Sequence, residues 1–265
     1  MDYGQYEFIV VEKDEDGIAT VTLNRPERRN AINPEMHKEL ESLFSEISKD
    51  RDVRCIVLTG AGTGFSAGGD AKVLQAGTWR DRAQEVPLAE VRRLLLYMLE
   101  VEQPIVAAVN GDAAGLGATL ALFSDIIVAA EDARISDAHV LMGLVAGDGG
   151  VVIWPWLVGM ARAKEYLLLG RWITGKQAAE MGMVNYAVPA AEALPKAMEL
   201  ARELASGSPL AIRWTKFCLN KLLRDHVNLA VDTSAILESI TLDSDDLKEA
   251  ATAFLEKRKP QFKGS

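Results

Sequence analysis

Cysteine is scarce in this chain of 265 residues, which contains only Cys55 and Cys218. The two are far apart in the sequence, and neither belongs to a Cys-x-x-Cys pair. The sequence therefore offers no disulfide framework and no cysteine-based zinc site, as is typical of proteins from a reducing compartment. We expect no bound metal of any kind.

Positive charge is also limited, because 29 Lys and Arg residues are outnumbered by 38 Asp and Glu residues, which gives a formal net charge of -9. A surface that binds nucleic acid needs clustered positive charge to neutralise phosphates. No such cluster precedes the C-terminal tail. We therefore expect no nucleic-acid partner.

Long apolar runs are missing as well. The longest, at 105–122, is interrupted by Asn110, Asp112 and several glycines, so no membrane span is predicted. Residues 1–7 are polar and acidic, whereas a secretory signal peptide has basic residues followed by an apolar segment. These absences predict a cytoplasmic protein with no membrane partner.

The sequence does contain a regular alternation of strand and helix patterns. Two short segments at 8–11 and 18–23, joined by a loop with an Asp-Gly pair, predict a β-hairpin. Asn33 and Pro34 predict the start of a helix of about four turns. Three wholly apolar runs predict strands buried on both faces, as in a mainly parallel sheet covered by helices; they are 55–59, 104–109 and 126–130.

The pattern changes near residue 190. Beyond it the sequence predicts helices without strands, at 193–205, 209–223, 227–242 and 245–257. We therefore predict an α/β core over 1–192 and a helical C-terminal region over 193–265. The apolar faces of these helices follow a core that is already complete, which favours a role in oligomerisation.

Two glycine-bearing turns, at 64–70 and 110–118, each follow an apolar strand directly. The main chain can approach a ligand closely where glycine replaces a side chain. Each turn also leads into a predicted helix, whose first N–H groups have no partner within the helix and attract negative charge. Two such turns facing each other would form an oxyanion hole. Neither turn contains a dinucleotide-binding or P-loop motif.

Seven segments, taken in order, resemble the crotonase superfamily, which is also called the enoyl-CoA hydratase/isomerase family. They are 23–31, 67–70, 107–111, 124–125, 174–178, 182–185 and 254–260. The resemblance covers nearly the whole chain and implies a spiral of ββα units with a C-terminal helical trimerisation region. It also implies trimers that often pair into hexamers, and a coenzyme A thioester as the substrate rather than a permanently bound cofactor.

The resemblance further implies roles for individual residues. The thioester oxygen would be held by the main-chain N–H groups of Gly69 and Leu116, where negative charge develops in an enolate intermediate. Arg28 would lie near the coenzyme A phosphates. Three more residues would line the path of the substrate: Ser66, Ala67 and Asp70.

The acid/base residues depart from the family pattern. Family hydratases carry two glutamates, and the corresponding positions here hold Thr119 and His139. A threonine hydroxyl cannot act as a general base at neutral pH, so ordinary hydration with two glutamates is not expected. We predict instead that His139 and Asp148 form the catalytic pair.

Only one of the three histidines lies near this predicted site. The reference pKa of histidine, about 6.5, suits proton transfer by His139 at neutral pH. Asp148, between two glycines, can orient His139 or act as the base itself, and Asp137 is a further acid nearby. His37 and His226 have charged neighbours on predicted helices, and we expect both at the surface.

The spacing of His139 and Asp148 is also similar to the β-diketone hydrolase branch of the superfamily, in which a histidine activates water to attack a ketone. The further histidine of that branch is absent from residues 116–119. Three hypotheses follow, in decreasing order of support. The chain is a hydratase/isomerase-type enzyme that uses His139 and Asp148 on an acyl-CoA, a hydrolase that breaks a C–C bond in a β-dicarbonyl compound, or a paralogue that binds acyl-CoA without catalysis.

Overall fold

The structure is a computed structural model that describes residue 1 and residues 3–77 and 87–265, with side chains from residue 92 onward in the last range. No helix within these residues is both long enough and apolar enough to cross a membrane.

The described residues contain two β-sheets. Their strands are β1 (Ile9–Lys13), β2 (Ile18–Leu23), β3 (Cys55–Gly60), β4 (Ile105–Val109), β5 (Ala113–Ala114), β6 (Ile126–Ala130), β7 (Arg134–Ser136), β8 (Ile173–Thr174) and β9 (Tyr186–Val188). The main sheet has the order β1-β2-β3-β4-β6-β9, and β5, β7 and β8 form the second sheet. In the main sheet, β1 and β2 pair antiparallel and all other neighbours are parallel. The predicted hairpin and parallel sheet are confirmed.

Helices follow most of these strands. They are α1 (Pro34–Ile47), α2 (Ala71–Gln75), α3 (Pro87–Glu100), α4 (Leu116–Leu122), α5 (Gly150–Leu169), α6 (Gly175–Glu180), α7 (Ala193–Ser206), α8 (Pro209–Leu242) and α9 (Asp245–Glu256), with a short 3-10 helix at His139–Met142. As predicted, α1 begins after Asn33, whose side-chain oxygen accepts a hydrogen bond from the N–H of Met36 at 3.0 Å.

Helices cover both faces of the main sheet, which explains why β3 and β4 are buried along their whole length. The larger core lies on one face and includes side chains of α1, α3 and α4. On the other face, α7 packs Ala197, Leu200 and Ala201 against Cys55 and Val57 of β3. The C-terminal region therefore contributes directly to the core of the α/β fold.

The structure corrects one helix prediction. The sequence analysis divides residues 209–242 into two helices, but α8 is one helix of 34 residues. Residues 224–226 contain no glycine or proline, so nothing in the main chain ends a helix there. The helix packs against α3, and Arg224 forms an ion pair with Glu100 at 2.9 Å.

Candidate active site

A cavity of about 1030 Å³ lies at the carboxyl ends of β3 and β4. The chain leaves β3 into the glycine turn at 64–70 and leaves β4 into the turn at 110–118, and residues of both turns line the cavity. Side chains of α1, α3, α8 and α9 also belong to the lining. Ligands of open α/β sheets bind at this end of parallel strands, so the cavity is the candidate active site.

The two glycine turns lie against each other. The Ala114 N–H donates a hydrogen bond to the Ser66 carbonyl oxygen at 2.9 Å. A Cβ on Gly68 would lie 2.5 Å from the Ala114 carbonyl oxygen, and the φ of Gly68 is +76°, so this contact requires glycine. Among the described residues, the main-chain N–H groups of Gly69 and Leu116 have no acceptor. Because both residues line the cavity, both donors are available to a ligand.

The imidazole of His139 lies between carboxylates on the cavity wall. Its Nδ1 is 2.7 Å from Asp137 Oδ1, and its Nε2 is 3.2 Å from Asp148 Oδ2 and 3.7 Å from Glu238 Oε1. A Cβ on Gly115 would lie 3.4 Å from His139 Cε1. The ring is therefore packed against the second glycine turn, directly before the N–H of Leu116.

These charges change the protonation of the cluster. Burial lowers the pKa of His139, but the charges of Asp148 and Asp137 outweigh burial and raise this pKa well above 6.5. Burial raises the pKa of Glu238 to about 8, together with repulsion by Asp148 and Asp137, while His139 opposes the shift. Both shifts favour the protonated forms, an imidazolium at His139 and a neutral carboxyl group at Glu238.

Asp148 is held in place by its neighbours. Its Oδ1 accepts a hydrogen bond from the Thr119 hydroxyl at 3.0 Å, and the residue is buried. Gly149 has a φ of +112°, and a Cβ on Gly147 would lie 2.3 Å from Glu238 Oε2. The flanking glycines therefore permit both the turn and the close approach of Glu238. The predicted pair of His139 and Asp148 is brought together, and Thr119 supports it.

Asp137, His139 and Asp148 are also a group of described residues whose ligand atoms lie close enough together to hold a metal ion, within 4.8 Å of one another. Both ring nitrogens of His139 already face carboxylate oxygens at hydrogen-bonding distance. The contacts are those of an acid/base cluster, and the expectation that no metal is bound stays a prediction.

Of the residues predicted along the substrate path, Ala67 lines the cavity, and Ser66 and Asp70 are not part of its lining. The Ser66 hydroxyl donates to the Asn30 carbonyl oxygen at 2.7 Å, and Asp70 forms an ion pair with Arg25 at 3.3 Å. Ser66 and Asp70 belong to the first glycine turn and are both buried, and these contacts hold the turn in place.

The predicted phosphate contact, Arg28, is exposed and is not part of the cavity lining, whereas the next residue, Arg29, is. Arg134 and Trp172 also belong to the lining and are partly exposed, and the Arg134 guanidinium lies 5.1 Å from the centre of the Trp172 ring. Sequence analysis missed this group of cationic and aromatic side chains because its members come from separate parts of the chain.

The prediction that His37 lies at the surface is wrong. His37 is buried, lines the cavity, and has its Nδ1 3.3 Å from Glu41 Oε1. Glu41 is buried as well and pairs with Arg93 at 3.3 Å. Charged neighbours misled the prediction because adjacent residues point to different faces of a helix. His226 is exposed as expected and packs edge-on against Trp156.

Glu238 was also missed, because it belongs to a helix that the sequence assigns to oligomerisation. The spacing holds a signal in retrospect: Ala235, Glu238 and Leu242 lie three and four residues apart, share one face of α8, and all line the cavity. A glutamate on an otherwise apolar helical face indicates a buried polar site, but the sequence does not show where that face packs.

The raised pKa values predict that stability falls as pH rises. The folded state holds protons on Glu238 up to about pH 8 and on His139 well above 6.5, whereas the unfolded chain loses them near 4.5 and 6.5. Protein that binds more protons when folded is destabilised by rising pH. We expect thermal unfolding, followed by circular dichroism, to show a melting temperature several degrees lower at about pH 9 than at about pH 5.

The Glu238→Gln variant is the control, because its amide side chain does not titrate. Its melting temperature should fall less over the same pH range. Equal slopes for the native protein and the variant would contradict the assignment of a raised pKa to Glu238.

Known proteins resemble this chain over nearly its whole length. Residues 13–265 match the family model described as enoyl-CoA hydratase/isomerase. The chain is 38% identical to 1,2-epoxyphenylacetyl-CoA isomerase of Escherichia coli strain K12, over 94% of this chain and 96% of that protein.

Solved structures with the same fold include members of two reaction types. One is an enoyl-CoA hydratase/isomerase from Mycobacterium paratuberculosis, with 34% identity, a TM-score of 0.89, and coverage of 94% of this chain and 99% of that one. Another is a β-diketone hydrolase from Anabaena sp. PCC 7120 bound to (S)-3-oxocyclohexyl acetic acid, with 31% identity, a TM-score of 0.82, and coverage of 91% and 96%. With its α/β core, its helical C-terminal region and its paired glycine turns, the chain belongs to the enoyl-CoA hydratase/isomerase family, the crotonase superfamily.

Proposed function

We propose that the protein is a hydratase/isomerase-type enzyme that acts on an acyl-CoA thioester, with His139 and Asp148 in place of the two glutamates of family hydratases. One observation carries the proposal. The imidazole of His139, with Asp148 and Glu238 close to its Nε2, is packed against the turn that presents the N–H of Leu116. Acid/base groups and an oxyanion donor thus meet in one cavity.

The chemistry starts at the thioester oxygen, which accepts hydrogen bonds from the N–H groups of Gly69 and Leu116. Loss of a proton from the adjacent carbon creates an enolate, whose negative charge develops on that oxygen and is stabilised by the two fixed donors. Asp148 takes the proton, because His139 is already protonated at neutral pH. The nearby imidazolium stabilises the negative charge.

The second half of the reaction returns a proton to a different carbon of the substrate. Asp148 returns the proton that it took, or the protonated carboxyl group of Glu238 supplies one and is replenished from Asp148. This cycle shifts a double bond without consuming water. The relatives carry both kinds of name, an epoxyphenylacetyl-CoA isomerase at 38% identity and a short-chain-enoyl-CoA hydratase at 34%. We expect crotonyl-CoA hydration to be slow, because the pair of glutamates that holds the attacking water is absent.

Coenzyme A would extend from the glycine turns toward the exposed side chains of the lining. Arg29 offers positive charge to phosphates, and Trp172, beside an Arg134 that is paired with Asp112, offers an aromatic face to adenine. Arg28 stays a predicted phosphate contact at the surface beside Arg29.

We expect calorimetry to detect binding of acyl-CoA thioesters with a dissociation constant of about micromolar order. Arg28→Glu and Arg29→Glu should each weaken binding about tenfold, because each reverses a charge near the phosphates. Arg51→Glu is the control: Arg51 is exposed, pairs with Glu102 and lies outside the cavity lining. The absence of heat with every thioester would overturn the proposal and favour a substrate without coenzyme A.

We also propose that the protein forms a trimer or a hexamer through its C-terminal helices. Large apolar side chains of α8 are exposed in the single chain, among them Trp214, Phe217, Leu229 and Ile240. Apolar area of this extent on a helix favours burial between subunits. Light scattering should give three or six times the chain mass of 28.8 kDa. A mass of one chain at micromolar concentration would contradict this assembly.

Hydrolysis of a C–C bond is the second candidate. The fold shared with a β-diketone hydrolase and the histidine surrounded by carboxylates favour it. The test is incubation with a cyclic β-diketone, 1,3-cyclohexanedione, while the ultraviolet absorbance of its enol is followed. Loss of absorbance by a protein that binds no coenzyme A thioester would establish this candidate, whereas thioester binding with no turnover of any kind would establish the non-catalytic one.

A further inference from the structure

Asp137 makes a contact with His139 that the proposed reaction does not use. It follows β7, is 2% exposed, and its Oδ1 lies 2.7 Å from His139 Nδ1. The same oxygen also accepts the main-chain N–H of His139 at 3.4 Å. The Asp137 carboxylate is thus fixed relative to the main chain of His139. It contacts one ring nitrogen, Nδ1, whereas Asp148 faces the other.

The other oxygen of Asp137 is unusual. Oδ2 is buried and has no hydrogen-bond partner among the described residues. It lies at the start of α5, where a Cβ on Gly150 would be 1.9 Å away from it. The first turn of α5, which runs without interruption from Gly150 to a kink at Gly159, attracts negative charge, and this offsets part of the cost of burying the oxygen. The carboxylate therefore occupies space that only a glycine at 150 leaves open.

We infer that Asp137 is a positioning residue that keeps a proton on His139 Nδ1, so that His139 interacts with substrate and with Asp148 only through Nε2, and that Gly150 is required for this arrangement. A carboxylate that accepts from one ring nitrogen fixes the tautomer and the orientation of the ring. The catalytic part of the inference rests on the proposed function, whereas the part that concerns protonation does not.

The charged groups around His139 support separate roles for its two ring nitrogens. Asp137 faces Nδ1, while Asp148 from the loop before α5 and Glu238 from α8 face Nε2. Asp246 of α9 lies beside Gly143, but its carboxylate accepts main-chain N–H groups of the C-terminal tail. Among the described residues, Asp137 is thus the carboxylate that faces Nδ1. Its removal should affect that ring nitrogen specifically.

The test is a pH titration of the protein labelled with ¹⁵N-histidine, followed by NMR in the absence of any ligand. With three histidines in the chain, the His139 signals are assigned by their loss in His139→Gln. In the native protein, Nδ1 should stay protonated after the ring becomes neutral. In Asp137→Asn, the pKa of His139 should fall by at least about one unit, because one opposite charge in contact is removed.

Two further variants make the result specific. Gly150→Ala keeps every charge but places a methyl group where Asp137 Oδ2 lies, so it should shift the His139 titration in the same direction. Asp52→Asn removes one exposed carboxylate outside the cavity lining and should leave this titration unchanged. Unchanged titration of His139 in Asp137→Asn would overturn the inference. If Gly150→Ala fails to fold, Asp137→Asn decides the question alone.

Activity provides the catalytic half of the test. With an acyl-CoA that the native protein turns over, Asp137→Asn should lower kcat by about 10²-fold or more, leave KM nearly unchanged, and move the loss of activity at high pH to a lower pH. A shifted titration with unchanged kcat would overturn the positioning role. If the native protein turns over no thioester, the proposed function fails, while the titration still decides the role of Asp137 in protonation.

Discussion

His139→Ala should lower the turnover of an acyl-CoA substrate by about 10²- to 10³-fold, because it removes the imidazolium that stabilises the negative charge of the enolate. Asp148→Asn should have an effect of the same order, because it leaves the shape of the site intact but removes the base. Neither change reaches the residues proposed to hold coenzyme A, so thioester affinity should be nearly unchanged. Steady-state kinetics together with calorimetry separate the two effects.

The double variant sharpens this test. Residues that act as one unit are strongly non-additive, so His139→Ala combined with Asp148→Asn should be hardly slower than the slower single variant. His226→Ala is the matched control, since His226 is exposed and outside the cavity lining. Thr119→Ala removes one hydrogen bond to Asp148 and should cost about tenfold or less. Turnover that survives both catalytic substitutions would place the chemistry on other residues.

Gly68→Ala should reduce turnover by about 10²- to 10³-fold, which is the effect of losing one oxyanion donor. A direct test of the donors is difficult, because both are main-chain N–H groups that side-chain substitution leaves in place. Gly68 offers an indirect one. Its added Cβ would lie 2.5 Å from the Ala114 carbonyl oxygen, so the two glycine turns must move apart. The N–H groups of Gly69 and Leu116 would then no longer converge on one oxygen.

Gly182→Ala controls for strain in the main chain. The φ of Gly182 is +75°, almost the same as the +76° of Gly68, but a Cβ on Gly182 meets nothing within 4 Å. Both variants therefore strain the main chain equally, and only Gly68→Ala separates the turns. Melting temperatures of the two variants show whether the fold survives. Equal activity of both variants would contradict a role of the glycine turns in catalysis.

Much of the fold could be predicted from the sequence because its signals are local. The wholly apolar runs became β3, β4 and β6, and Asn33 with Pro34 marked the start of α1. The strands β5, β7 and β8 have only two or three residues each, which is too short for any periodic pattern. The prediction of two helices in place of α8 was wrong for a different reason. A stretch of charged residues does not end a helix that tertiary contacts support.

The same distinction between local signals and tertiary packing applies to the residues of the site. The glycine turns, His139 and Asp148 lie close together in the sequence or carry family motifs, so they could be identified. Glu238 and His37 reach the cavity through the packing of α8 and α1, and this packing is a property of the whole fold. Arg29 was overlooked beside Arg28, because two adjacent arginines do not indicate which of them faces a cavity.

The position of Glu238 limits how segments can be exchanged between members of this family. It lies in the helical C-terminal region, yet it approaches His139 of the α/β core, and Gly147 of the core leaves the space that its carboxyl group needs. A chimaera that joined this core to the C-terminal helices of a relative with two catalytic glutamates would replace one member of the acid/base cluster. The two regions must therefore be exchanged as a matched set, because the junction between them passes through the active site.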